Sequence, residues 1–181
     1  MNFEKRKVFI SHFKANRDEV DTFIETFREV FVPKVLGAND NDEFIDSTNT
    51  EYVMQRIREK YLGDSTVTIV LLGSCTHGRR YVDWEIKSSL RQGSQLPNGL
   101  MAIVLPSQND SAWLPERFSA NWDKGHANCY ARYWSYPSTR QQLRDWIEDA
   151  YQARTTRAKL IDNSLPMMKN NAKCKTCEVT H

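Results

Sequence analysis

The run VTIVLL at Val67–Leu72 constrains this chain more than any other. It is apolar and β-branched, with no alternation between faces, which is the pattern of a strand covered on both sides. Such a strand belongs to a parallel sheet between layers of helix. KVFIS at Lys7–Ser11 is a second run suited to a buried strand, and LMAIVLP, entered from Gly99 and ended by Pro106, is a third. Ala131–Tyr136 reads as a further strand and Val35–Ala38 as a weak one. Helical periodicities lie between them. Asn16 or Asp18 caps a helix with Val20, Phe23, Ile24, Phe27 and Phe31 at core spacing, stopped by Pro33. Another, from about Thr50 to Leu62, carries Val53, Ile57 and Tyr61, with Gly63 at its C-terminal cap. A third aligns Val82, Ile86 and Leu90, and a fourth, capped by Ser138 or Thr139, aligns Leu143, Trp146, Ile147 and Tyr151. The alternation predicts an α/β fold: a five-stranded, mainly parallel sheet with helices on both faces and right-handed crossovers.

The totals narrow the functional classes. A chain of 181 residues is most simply one domain, here residues 1–160, followed by a polar, mildly basic tail over 161–181. Lys and Arg number 25 against 23 Asp and Glu, so bulk charge points to neither nucleic acid nor an anionic membrane as partner. No apolar run approaches the roughly 20 residues that span a bilayer, and MNFEKRKVFISHF has no signal-peptide core. Four cysteines, unevenly placed, do not make a secreted disulfide framework. A soluble, cytoplasmic protein is expected.

Chemistry is sought beyond the carboxyl ends of the strands, where open α/β sheets bind ligands. Glu85 opens a helix just past the third strand, among Ser74, Thr76 and Trp84. A helix N-terminus favours a carboxylate by roughly 0.3–1 kcal/mol and is expected to keep it ionised. The plain alternative is an acid that only complements the dipole or pairs with Arg79 or Arg80. Ser11 and His12 end the first strand, and both are also ordinary turn or surface residues. Asp40, Asp42, Glu43 and Asp46 crowd one loop, which lacks the glycine and terminal glutamate of a calcium site and reads more simply as solvated. No GxGxxG follows the first strand, and no P-loop or GxSxG elbow occurs anywhere. Cys174, Cys177 and His181 form a CxxCxxxH ending that looks metal-like. Structural zinc takes four ligands, and His126 or Cys129 would complete the set only if the tail folds back. Otherwise the ending is a mobile tail with two free thiols. Most of the C-terminal aromatics, Trp113 to Trp146, read as core or lid.

KVFISHF, the acidic loop, and TVTIVLLGSCTHGRRYVDWEI together resemble the TIR-like domains of bacterial antiphage systems, in particular the Thoeris (ThsB-like) TIR proteins. The likeness covers roughly Lys7–Pro106 by motif. It implies a flavodoxin-like fold with strand order 2-1-3-4-5. It further implies cleavage of the nicotinamide–ribose bond of NAD as substrate, with no cofactor and no metal, to give a cyclic or conjugated ADP-ribose messenger that activates a separate effector. A phage-derived trigger and self-association belong to the same picture. By this resemblance Glu85 is the catalytic glutamate, and Phe9, Ser11, His12, Asp46, Ser74 and Trp84 border the NAD pocket. Two other readings stand beside it: a non-catalytic TIR-like module that binds a nucleotide or assembles with like domains, and a nucleoside deoxyribosyltransferase-like enzyme that also uses a glutamate.

Overall fold

The computed structural model describes residues 4–35 and 49–181. Five parallel strands, β1 (Lys7–His12), β2 (Val32–Val35), β3 (Val67–Leu72), β4 (Gly99–Val104) and β5 (Arg132–Trp134), form one sheet in the order β2-β1-β3-β4-β5. Helices α1 (Arg17–Phe27), α2 (Thr50–Arg56), α3 (Arg80–Ser89), α4 (Glu116–Ser119) and α5 (Arg140–Thr156) accompany it. After α2 the chain continues through wider π-helical turns over Ile57–Leu62.

The expected architecture is present, because the central strands are apolar on both sides. Val8, Ile10, Ile69, Leu71, Met101 and Ile103 face α1 and α5, meeting Val20, Phe23, Leu143 and Ile147. Val70, Leu72, Leu100, Ala102 and Val104 face α3, meeting Val82, Ile86 and Leu90. At about 25 cal/mol per Å² of apolar surface removed from water, these two layers are the main source of stability. Gly99 begins β4 where the Ala150 carbonyl of α5 comes so close that a Cβ has no room.

The first crossover departs from the sequence reading. Helix α1 ends at Phe27, and Phe31 is buried in the connection that follows. Strand β2 begins at Val32 and contains Pro33, whereas Val35–Ala38 was the expected span. Proline is tolerated here because, among the described residues, β2 is the sheet edge and pairs only with β1, so its missing N–H removes no ladder bond from a central strand. Residues 36–38 of that expectation, and the acidic loop with Asp40, Asp42, Glu43 and Asp46, lie outside the described residues. Thr139 caps α5 as expected, its hydroxyl accepting from the Gln142 amide at 3.1 Å.

The larger difference concerns residues 161–181, which pack against the domain instead of hanging free. They run antiparallel to α3, from its last turn back to its start. Lys87 Nζ donates to the carbonyls of Asn163 and Leu165. The Met168 amide donates to Asp83 Oδ2 at 2.9 Å, and the Trp84 indole to the Met168 carbonyl at 2.8 Å. At the start of α3 the Arg80 amide donates to Asn171 Oδ1 at 2.9 Å, so the segment caps the helix that its own Arg79 leaves uncapped. The Ala172 amide donates to the Gly78 carbonyl, and the Ala172 carbonyl would lie 2.9 Å from any Cβ at position 78. Glycine there lets the two backbones meet.

The anchor of this segment is Arg117 of α4, which has no exposed surface. Its guanidinium grips both Asp83 oxygens, at 2.8 and 3.3 Å, and also donates to the carbonyls of Leu165 and Pro166. Breaking a buried pair leaves an uncompensated charge, at a cost of roughly 3–5 kcal/mol. Arg117→Met is expected to lose that much in chemical denaturation and to expose residues 163–172 to hydrogen exchange. Unchanged protection of those amides would show that the segment is held in some other way.

Candidate active site

The alternation of β1 builds the site. Val8 and Ile10 go to the α1 side, so Phe9 and Ser11 must go to the α3 side. On α3, Val82 and Ile86 pack into the sheet, which turns Glu85 and Ser89 toward β1 and β3. Ser89 Oγ lies 2.7 Å from Thr68 Oγ1. The Ser11 hydroxyl donates to Glu85 Oε2 at 2.5 Å. Two sequence-distant candidates are thus brought into direct contact.

Glu85 is 4% exposed and lies in the second turn of α3. The helix-dipole benefit fades beyond the first turn, while burial penalises charge fully. Desolvation pushes its carboxyl up to about 8, against the smaller opposing effect of the Ser11 hydrogen bond. The expectation of an ionised carboxylate is therefore corrected: burial favours the acid form at neutral pH.

Beside Glu85 is a cavity of about 510 Å³, within the range of small-molecule sites. It opens at the carboxyl end of β1, where the chain order switches between β2 and β3, the expected crevice of such a sheet. Val53 and Ile57 supply an apolar wall. His12, Phe13 and Lys14 line it from the end of β1, and Arg79, Tyr81 and Val82 from the start of α3. Asn171 and His181 close it from the far end of the chain. Burial, and then the nearby Arg17 charge, lower the pKa of His12, favouring a neutral imidazole.

The other predicted residues are placed differently. Phe9 and Trp84 are buried in a cluster with Val53, Met54, Ile57 and Leu62, behind the lining rather than on it. Packing took them because both point into the layer that joins α2 to α3. Ser74 lies outside the lining, its carbonyl accepting from Thr176 Oγ1 at 3.2 Å. Asp46 is outside the described residues. Sequence reasoning missed Tyr81, although it stands four residues before Glu85 on one face of α3. It also missed Arg79, Asn171 and His181, the last two because no sequence signal says that residues 161–181 fold back.

The residues from Phe9 to Asp110 match the family described as Thoeris protein ThsB, TIR-like domain. The chain belongs to that family. A relative from Bacillus cereus (strain MSX-D12), named "Putative cyclic ADP-D-ribose synthase ThsB1", is 30% identical over 97 residues, 51% of this chain. The match spans 49% of that protein, about half of its length. As a member of the family, the chain carries Ser11, His12 and Glu85 inside the matched region, while Asn171 and His181 lie beyond it.

The raised pKa has a consequence for stability. Below about pH 4.5 both folded and unfolded Glu85 are protonated. Above it the unfolded chain releases the proton while the folded one retains it, so stability falls until pH passes about 8. Glu85→Gln removes this titration. The variant should match wild type at acid pH and exceed it increasingly above, by on the order of 4 kcal/mol at pH 8. Denaturation curves across that range test this, and a pH-independent difference contradicts it.

Proposed function

We propose that the protein cleaves the nicotinamide–ribose bond of NAD and forms a cyclic or conjugated ADP-ribose messenger, with Glu85 as the catalytic carboxylate. The observation that carries this reading is the buried Glu85–Ser11 pair at the edge of a largely apolar cavity, in a ThsB-type TIR domain. The name of the Bacillus cereus relative, "Putative cyclic ADP-D-ribose synthase ThsB1", supports the same chemistry.

Each element of the site has a use. Nicotinamide departs as a neutral base from a cationic glycoside: the C1′–N bond breaks and its electron pair stays on the ring nitrogen. No strong general acid and no metal at the reacting centre are required. Positive charge develops on the ribose, and a carboxylate beside it stabilises that charge most where it is greatest. The cationic substrate also offsets the desolvation of Glu85, so binding favours the ionised form. Ser11 fixes the rotamer of the carboxylate. Val53 and Ile57 exclude water, which favours capture of the cation by an internal or second nucleophile over hydrolysis. That nucleophile gives up a proton as the new bond forms, and Glu85 or solvent takes it. Lys14, exposed in the turn after β1 and on the cavity lining, is the cation this reading assigns to the pyrophosphate.

In this reading the messenger diffuses to a separate effector during phage infection, and the protein acts in the cytoplasm. A phage product is the trigger, and self-association accompanies activation.

The test follows NAD and its products by mass spectrometry in phage-infected cells expressing wild type, Glu85→Gln or Ser11→Ala. An ADP-ribose-derived product is expected with wild type and none with Glu85→Gln. Ser11→Ala should reduce turnover about 10- to 100-fold, since a mispositioned carboxylate sacrifices preorganisation. In purified enzyme kcat/KM should rise through about pH 8, the value for Glu85 in the free enzyme, with kcat levelling at lower pH. Normal turnover by folded Glu85→Gln rejects the assignment. No product from any protein, with nucleotide-dependent oligomers instead, supports a non-catalytic module.

A further inference from the structure

The docking of residues 161–181 brings together side chains that the sequence keeps a hundred positions apart. Cys75 Sγ, in the loop after β3, lies 3.3 Å from Cys177 Sγ and 3.4 Å from His181 Nε2. Cys177 Sγ lies 3.1 Å from the same imidazole nitrogen. Cys174 joins them, and the three sulfurs all fall within 4.8 Å of one another. A tetrahedral zinc centre with Zn–S near 2.3 Å has edges of roughly 3.7 Å, so the three sulfurs gather within reach of one such ion, with the imidazole nitrogen beside two of them. We propose that Cys75, Cys174, Cys177 and His181 form a Cys3His zinc site that staples residues 172–181 to the loop after β3.

The surroundings fit a metal better than four unrelated side chains. Cys174 and Cys177 sit on a tight turn of the kind that presents a CxxC pair to one ion. The Thr176 amide donates to Cys174 Sγ at 3.4 Å, and the Cys174 amide to the Val179 carbonyl at 2.9 Å. Glu178 reverses the chain at φ 61, a left-handed conformation uncommon outside glycine that needs something to hold it. His77 braces the turn without joining the set, since its Nε2 accepts from the Lys175 amide at 3.0 Å.

Charge points the same way. Three thiolates and a neutral imidazole around a divalent ion carry one net negative charge. Arg79 is buried beside them, donating to the carbonyls of Cys75 at 3.1 Å and His181 at 2.9 Å. Its Nη2 has no hydrogen-bond partner. A buried cation beside the cluster suits a centre that carries net negative charge. A disulfide would use only two of the three converging thiols and leave the imidazole without purpose. The two residues that sequence reasoning offered as completing ligands are elsewhere: His126 packs against Trp122 and Trp134, and the Cys129 thiol donates to the Ala131 carbonyl.

The experiment is elemental analysis of the purified full chain, prepared under reducing conditions without added chelator. One zinc per chain is expected in wild type and in Cys129→Ser, with at least a tenfold loss in Cys75→Ser and Cys177→Ser. Cobalt-substituted wild type should show the intense visible bands of a tetrahedral thiolate site, shifted in His181→Ala. Chelation should release the metal and raise hydrogen exchange across residues 172–181 with the sheet amides unchanged, which keeps the result independent of any folding defect in the variants. Wild type with four titratable thiols and no zinc overturns the proposal, as does a Cys75–Cys177 disulfide on peptide mapping. So does zinc retained in Cys75→Ser. None of these readouts involves NAD, so failure here is distinguishable from failure of the catalytic reading.

Discussion

A guanidinium with no exposed surface holds the far end of this chain in place. Arg117 spends its donors on both oxygens of Asp83 and on carbonyls of residues 165 and 166, so α3, α4 and the segment beyond Ile161 meet at one charge. Asp83 spends its remaining capacity on the Met168 amide. A pair of this sort contributes modestly to net stability, because desolvating both ions offsets most of their attraction. Its larger effect is on arrangement. With Asp83 held, α3 cannot rotate about its own axis, and Glu85, two residues further on, is fixed toward β1. The same node starts the returning segment along α3 toward the cavity.

In the proposed function, burial and catalysis are set against each other at Glu85. Placing a carboxyl where desolvation lifts its pKa to about 8 is unfavourable for folding at neutral pH. The cationic substrate of the proposed function would reverse the sign, since it would meet an acid whose charged form lacks solvation and gains most from a positive neighbour. The fold tolerates this because the layers on either side of the sheet bury enough apolar surface to offset one poorly solvated acid. The polar contact allowed to Glu85, from Ser11, fixes its orientation while only partly restoring its ionisation.

Sequence periodicity was a good guide wherever one face of an element had to be buried. Val67–Leu72 appears as read, and Thr139 caps α5 as read, since both depend on neighbours close in the chain. The second strand was misplaced because Pro33 looks like a helix stop until the edge position that accommodates it is known. The family resemblance makes Phe9 and Trp84 pocket candidates, yet side-chain direction sends them into the apolar layer instead. The segment after Asp162 was the least legible. Its hydrogen bonds are mostly main-chain or single side-chain contacts to α3, which leave no periodic trace, and CxxCxxxH is incomplete without Cys75.

One wall of the cavity comes from Asn171 and His181, 61 and 71 residues past the end of the stretch shared with the family at residue 110. Glu85 and most of the lining therefore lie in the shared stretch, and one wall is encoded apart from them. Drift in the later part reshapes the space around a bound molecule while the acid and its hydroxyl partner stay as they are. Among relatives that keep the first part, diversity of chemical output has a cheap genetic route: exchange of the final strap.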